Sequence, residues 1–173
     1  PGNSAPFSKL EDGKFRIYSP VSANGEFKFL QTQSWEGDWG DNKTQTGVLE
    51  QNDEQNCKLT DEGFYRIECD FINGTWTALG QEWGVIGSAT SGGWNDETPM
   101  VKSGDYSWTF TGALSAGEFK FRANHDWGFN FGDNGADGIL EDGGANIAVA
   151  EDGNYEIVLT LAPTGYTYTV KKL

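Results

Sequence analysis

Apolar and polar side chains alternate in short runs along the second half of the chain. Tyr106, Trp108 and Phe110 alternate with Ser107 and Thr109, and Phe119 and Phe121 alternate with Glu118, Lys120 and Arg122. A period of two belongs to a strand with one face buried. Residues 83–88 read as a further strand, and residues 89–96, with Gly92, Gly93, Asn95 and Asp96, as a turn-rich loop. Residues 124–144 are polar and rich in glycine, and read as a long loop. Residues 146–149 and 155–161 are expected to form a hairpin around Glu151, Asp152 and Gly153, and residues 166–170 the closing strand. No stretch sustains a helical period. Short strands separated by glycine turns predict an antiparallel sandwich.

The pattern occurs twice. Gly25-Glu26-Phe27-Lys28-Phe29 returns 92 residues later as Gly117-Glu118-Phe119-Lys120-Phe121. In the same register Trp35 falls on Trp127, Gly40 on Gly132, Asp41 on Asp133 and Asn42 on Asn134. Asp61 to Ile67 falls on Glu151 to Ile157 at an offset of 90. Phe15 and Ile17 align with Tyr106 and Trp108, and Trp76 aligns with Tyr166. Repeat one runs from Gly13 to Ala78 and has nothing to match residues 83–94, because residues 1–10 are too irregular to replace them. The expected fold is all-β: two tandem Ig-like antiparallel β-sandwich domains, residues 1–79 and 80–173, the first lacking its N-terminal strand. The chain opens at Pro1 without a methionine or signal sequence, and so reads as an excised or processed fragment.

Charge narrows the function classes. The net charge of −14 disfavours nucleic acid and anionic membranes, whose phosphates need clustered Lys and Arg, and is compatible with a neutral partner such as a sugar. No apolar run approaches the ~18 residues that span a bilayer. Cys57 and Cys69 fall on Ile147 and Leu159, which read as inward positions. They are either two buried thiols or a cross-strand disulfide.

The seven tryptophans sort by context. Trp83 and Trp108 lie in alternating strands and read as packing, as does Trp76. Trp94 and Trp127 lie in polar, glycine-rich segments with few apolar neighbours. If Phe119 and Phe121 enter the core, Lys120, Arg122 and Asn124 share the opposite face, three residues before Trp127. An indole covers the apolar face of a sugar ring, and Lys, Arg and Asn donate to its hydroxyl rim. Repeat one keeps Trp35 and Lys28, but has Leu30 and Thr32 in place of Arg122 and Asn124. Competing chemistry is weak. The loop starting at Asp133 fails the EF-hand pattern, having Gly144 where a bidentate Glu is needed. Asp126, Asp133, Asp137, Glu141 and Asp142 crowd one loop, a poor setting for paired catalytic carboxylates. His125 stands alone and reads as a solvent-facing side chain or a site rim. The chain is read as a non-enzyme with no metal and no cofactor. A structural or protein-interaction module is the alternative reading.

Residues 83–90 (WGVIGSAT) followed by Gly93-Trp94, then Gly117 to Arg122, Trp127, Gly143 to Ile147 and Asp152 to Tyr155, resemble the C-terminal carbohydrate-binding domains of the SusE/SusF proteins. That resemblance implies surface-displayed β-sandwich domains of outer-membrane lipoproteins, which capture starch or another glycan for an uptake system and leave cleavage to other components. It implies a polysaccharide or maltooligosaccharide partner, outer-membrane import proteins beside it, and a lipid anchor. Carried over, Trp94 and Trp127 are the aromatic pair, with Lys120, Arg122 and Asn124 as donors. In repeat one only Trp35 and Lys28 match.

Overall fold

The computed structural model describes residues 4–173. The chain divides after Gly80 into two compact units. Among the described residues the regular elements are strands, all paired antiparallel. Unit one contains β1 (Ser8–Glu11), β2 (Lys14–Val21), β3 (Gly25–Phe27), β4 (Gly40–Asp41), β5 (Leu49–Glu50), β6 (Cys57–Leu59), β7 (Gly63–Asp70) and β8 (Thr75–Gly80). Unit two contains β9 (Trp83–Gly87), β10 (Gly93–Pro99), β11 (Val101–Gly104), β12 (Ser107–Leu114), β13 (Gly117–Ala123), β14 (Asp126–Gly132), β15 (Glu141–Asp142), β16 (Ile147–Val149), β17 (Gly153–Ala162) and β18 (Gly165–Lys172).

In unit two, one sheet has the order β11-β12-β17-β18 and the other the order β10-β9-β13-β14-β15, with β16 also on β13. Strict alternation builds the first sheet. Tyr155, Ile157, Leu159 and Leu161 of β17 are buried, and the residues between them are partly exposed. The sheets meet through rings: Phe121 lies 5.8 Å from Tyr168, and Phe131 lies 5.3 Å from Tyr166. β9 reads differently. All five of its residues are buried, which fits a strand with neighbours on both edges.

Unit one repeats this plan with the sheet β1-β2-β7-β8 and the pairs β3-β6 and β4-β5. Its core gathers Ile17, Phe29, Leu49, Cys57, Ile67, Cys69 and Trp76. No strand among its described residues stands where β9 and β10 stand in unit two, as expected from the sequence. Residues 8–11 form β1, the counterpart of β11, so the likeness starts earlier than Gly13. Cys57 and Cys69 are buried free thiols and not a disulfide. Burial pushes both pKa values up to about 12, with Asp41 adding to the effect at Cys57.

Several sequence expectations need correction. The stretch 124–144 is not one long loop: β14 and β15 lie within it, because Asn124 and His125, both at positive φ, close a tight hairpin from β13 into β14. The supposed hairpin around Glu151 to Gly153 is a crossing between sheets. β16 pairs with β13, whereas β17 pairs with β12 and β18. The repeat alignment also slips by two residues in two places. Phe15 and Trp108 stand opposite Cys69 and Leu159, so Phe15 matches Trp108 and Ile17 matches Phe110. Trp76 and Tyr168 also stand opposite Cys69 and Leu159, so Trp76 matches Tyr168 and not Tyr166. Hydrogen bonding supports that pairing. Trp76 Nε1 donates to Asp41 at 3.0 Å, and Tyr168 Oη donates to Asp133 at 2.9 Å.

Candidate functional site

Trp94 and Trp127 come together in unit two. Their ring centroids are 6.1 Å apart with planes tilted by 38°, and the residues are 36% and 45% exposed. Neither sits in the loop that its sequence suggests. Trp94 belongs to β10 and Trp127 to β14, and each lies where its strand bulges. β10 pairs with β9 at Gly93↔Gly87 and next at Thr98↔Val85, so residues 94–97 stand against Ile86 alone. β14 pairs with β13 at Asp126↔Ala123 and next at Asn130↔Arg122, so residues 127–129 have no opposite number. Surplus residues of this kind lift side chains off the regular pleat and re-aim them. Glycine makes the first arch possible. Gly93 takes φ +59°, and a β-carbon on Gly92 would lie 2.3 Å from the Asp96 carbonyl oxygen. The second arch is held by Asn130, whose Nδ2 donates to the Trp127 carbonyl at 2.7 Å, and by the Gly128 N–H donating to Asp126 at 2.8 Å.

Arg122 supports the platform from below. It is only 5% exposed, and its guanidinium carbon lies 4.9 Å from the Trp127 ring centroid, a cation–π contact. Its Nε donates to Glu97 Oε2 at 2.5 Å. The other Glu97 oxygen accepts from the His125 backbone N–H at 3.1 Å and lies 3.1 Å from His125 Nδ1. The carboxylate of the β10 arch is thereby tied to the β13–β14 hairpin. Lys120 is half-buried on the same face of β13. Burial pushes its pKa down, and the charge of Asp142 opposes the shift.

Asn124 takes a different place from the one expected. It turns the hairpin, and its Oδ1 accepts from the Glu82 N–H at 2.9 Å while its own N–H donates to the Glu82 carbonyl at 3.0 Å. It tethers the chain entering β9. His125 is exposed at the rim. Nothing in the sequence singles out Glu97, an acid among polar residues whose pairing only the arch creates.

The unit-one candidates sit in different surroundings. Trp35 is 60% exposed in a bend between β3 and β4. Lys28 lies 2.9 Å from Asp38 and 2.5 Å from Glu54. Burial works against its charge, but hydrogen bonds to the two carboxylates outweigh it and hold its pKa above the usual lysine value.

The acidic residues of 126–142 serve the backbone. Asp133 is buried and accepts N–H bonds from Gly135, Asp137 and Gly138 in addition to the Tyr168 hydroxyl. Burial pushes its pKa up, yet these donors prevail and the net shift is downward. Glu141 accepts from the Asn134 N–H, and Asp137 from the Ile139 N–H.

Comparison with curated protein sequences gives no match. Among solved structures the chain is similar to SusF from Bacteroides thetaiotaomicron, with a TM-score of 0.56 and 19% identity. The likeness covers 96% of this chain and 42% of that one, so the chain spans less than half the length of the SusF structure. The family described as SusF/SusE starch specific CBMs matches residues 82–170, which is unit two from the residue before β9 to within β18. With more than half of its residues matched, this chain belongs to the SusF/SusE family of carbohydrate-binding modules.

Proposed function

We propose that unit two binds α-glucan, as starch or maltooligosaccharide, without cleaving it. The observation that carries this reading is the pair of open indoles, 6.1 Å apart and inclined at 38°, on two neighbouring bulges. Two planes at an angle follow a curved chain of sugar rings better than one flat surface would. Lys120 is the donor nearest this face in sequence, and Arg122 acts mainly as the charged support under Trp127. Asn124 positions the edge of the site. Trp35 and Lys28 form at most a second, poorer contact in unit one. The family's description as starch specific favours starch among glycans. Display at the outer-membrane surface, beside glycan-import proteins, is the corresponding cellular role.

Each well-covered indole contributes on the order of 2 kcal/mol before ordering costs. A single platform of two then binds at roughly tens of micromolar to millimolar. Such affinity suits capture of a polymer that several modules hold at once. Affinity electrophoresis in gels containing soluble starch tests the assignment. Trp94→Ala and Trp127→Ala are each expected to weaken retardation by roughly tenfold, and the double change to abolish it. Retardation that survives the double change would refute the site.

A further inference from the structure

We infer, on the reading of unit two as a glycan binder, that Glu97 is the positioning residue of its platform: it crosses from one arch to the other and sets the angle between the two indoles. The topology poses the problem that such a residue solves. Trp94 and Trp127 belong to β10 and β14, and both β9 and β13 lie between those strands. Three strand spacings amount to about 14 Å, yet the ring centroids stand 6.1 Å apart. The two arches therefore lean inward over the middle of the sheet, and the lean has to be held.

Bonds within each arch do not hold it. In the first arch the N–H groups of Asn95 and Asp96 reach the Gly92 carbonyl at 3.4 and 3.3 Å, longer than the usual N–H···O range. In the second, the bonds of Asn130 and Asp126 stay inside β14. Glu97 spans the gap. It closes the first arch, and its carboxylate meets the Arg122 Nε and the His125 N–H. Arg122 in turn lies against the Trp127 ring, and His125 stands two residues before it. A glycine opens the passage. Gly84 of β9 is the residue opposite Arg122, and a β-carbon there would lie 3.1 and 3.0 Å from the β- and γ-carbons of Glu97. Gly84 does not take a positive φ, so space and not conformation requires glycine. No side chain of β9 then stands between the carboxylate and the guanidinium. The pair is shielded from water, with side chains 6% and 5% exposed, so its directional charge-assisted bond is little screened.

Two variants of the intact chain test the role. Glu97→Ala with Arg122→Met removes the tie and leaves no lone buried charge. Glu97→Asp keeps the charge and shortens the reach by one methylene. Whichever variant unfolds cooperatively in urea is compared with the parent by two measurements. One is circular dichroism, where two indoles this close give an exciton couplet, identified as the signal that Trp94→Phe removes. The other is affinity electrophoresis in soluble starch. The couplet is expected to shift or vanish, and retardation to weaken by roughly tenfold. Parental retardation would overturn the inference. So would weakened retardation with an unchanged couplet, since Glu97 would then act by charge and not by position. Trp94→Ala with Trp127→Ala runs in the same gel. If it is still retarded, the glycan reading fails and the positioning role with it. If it is not retarded while the Glu97 variants bind as the parent does, the positioning role alone falls.

Discussion

Glu97 holds two parts of the site at once, because its oxygens meet the Arg122 guanidinium and the His125 backbone. Both charged partners are almost fully buried. Removing one member of such a pair leaves an uncompensated charge, so Glu97→Ala is expected to cost unit two about 3–5 kcal/mol in urea unfolding. The double change Glu97→Ala with Arg122→Met is expected to recover most of that loss, since no lone charge then remains. Cysteine chemistry is also decided at this scale. With pKa values of about 12, Cys57 and Cys69 hold almost no thiolate near neutrality. A thiol reagent at about pH 8 is expected to leave the folded chain unlabelled and to modify both cysteines in denaturant. Labelling of the native protein would contradict their placement in the core.

At the scale of elements, two bulges make the platform, and one aspartate organises the segment behind it. Asp133 has a folded pKa below its unfolded value of about 3.9, because its N–H and hydroxyl donors outweigh burial. The stabilisation is therefore fully present above the unfolded pKa, and is lost as pH falls through the folded one. Acid unfolding of unit two is expected to steepen below about pH 4, and Asp133→Asn to flatten that slope while lowering stability at neutrality. Identical slopes would show that this carboxylate has no special role. The repeat adds a lesson about strands. Both alignment slips, at Phe15 and at Trp76, are of two residues. A shift of one would turn every side chain to the wrong face, but a shift of two preserves the pattern, so alternation cannot detect it.

For the whole molecule, the net charge of −14 and the neutrality of the proposed glycan separate binding from bulk electrostatics. Starch retardation is expected to stay constant between about 0.05 and about 0.5 M salt, because stacking on indoles releases no counterions. Steep salt dependence would point to a charged ligand instead. Trp35→Ala is expected to leave retardation unchanged, since Trp35 is exposed in unit one whereas the paired indoles belong to unit two. A marked loss would show that Trp35 makes a glycan contact of its own in unit one.

The sequence by itself determined the β class and the repeat, because alternation, glycine turns and residue type are local properties. That Trp94 and Trp127 belong together was implied by the family resemblance, and their rings meet in the structure. The inward aromatics Phe119 and Phe121 followed from the same alternation. Only the tertiary structure decided that both site tryptophans ride on bulged strands, that Glu97 locks Arg122, that Asn124 is a tether, and that β16 and β17 belong to different sheets. These depend on which strand lies beside which, and partners distant in sequence leave no periodic trace along the chain.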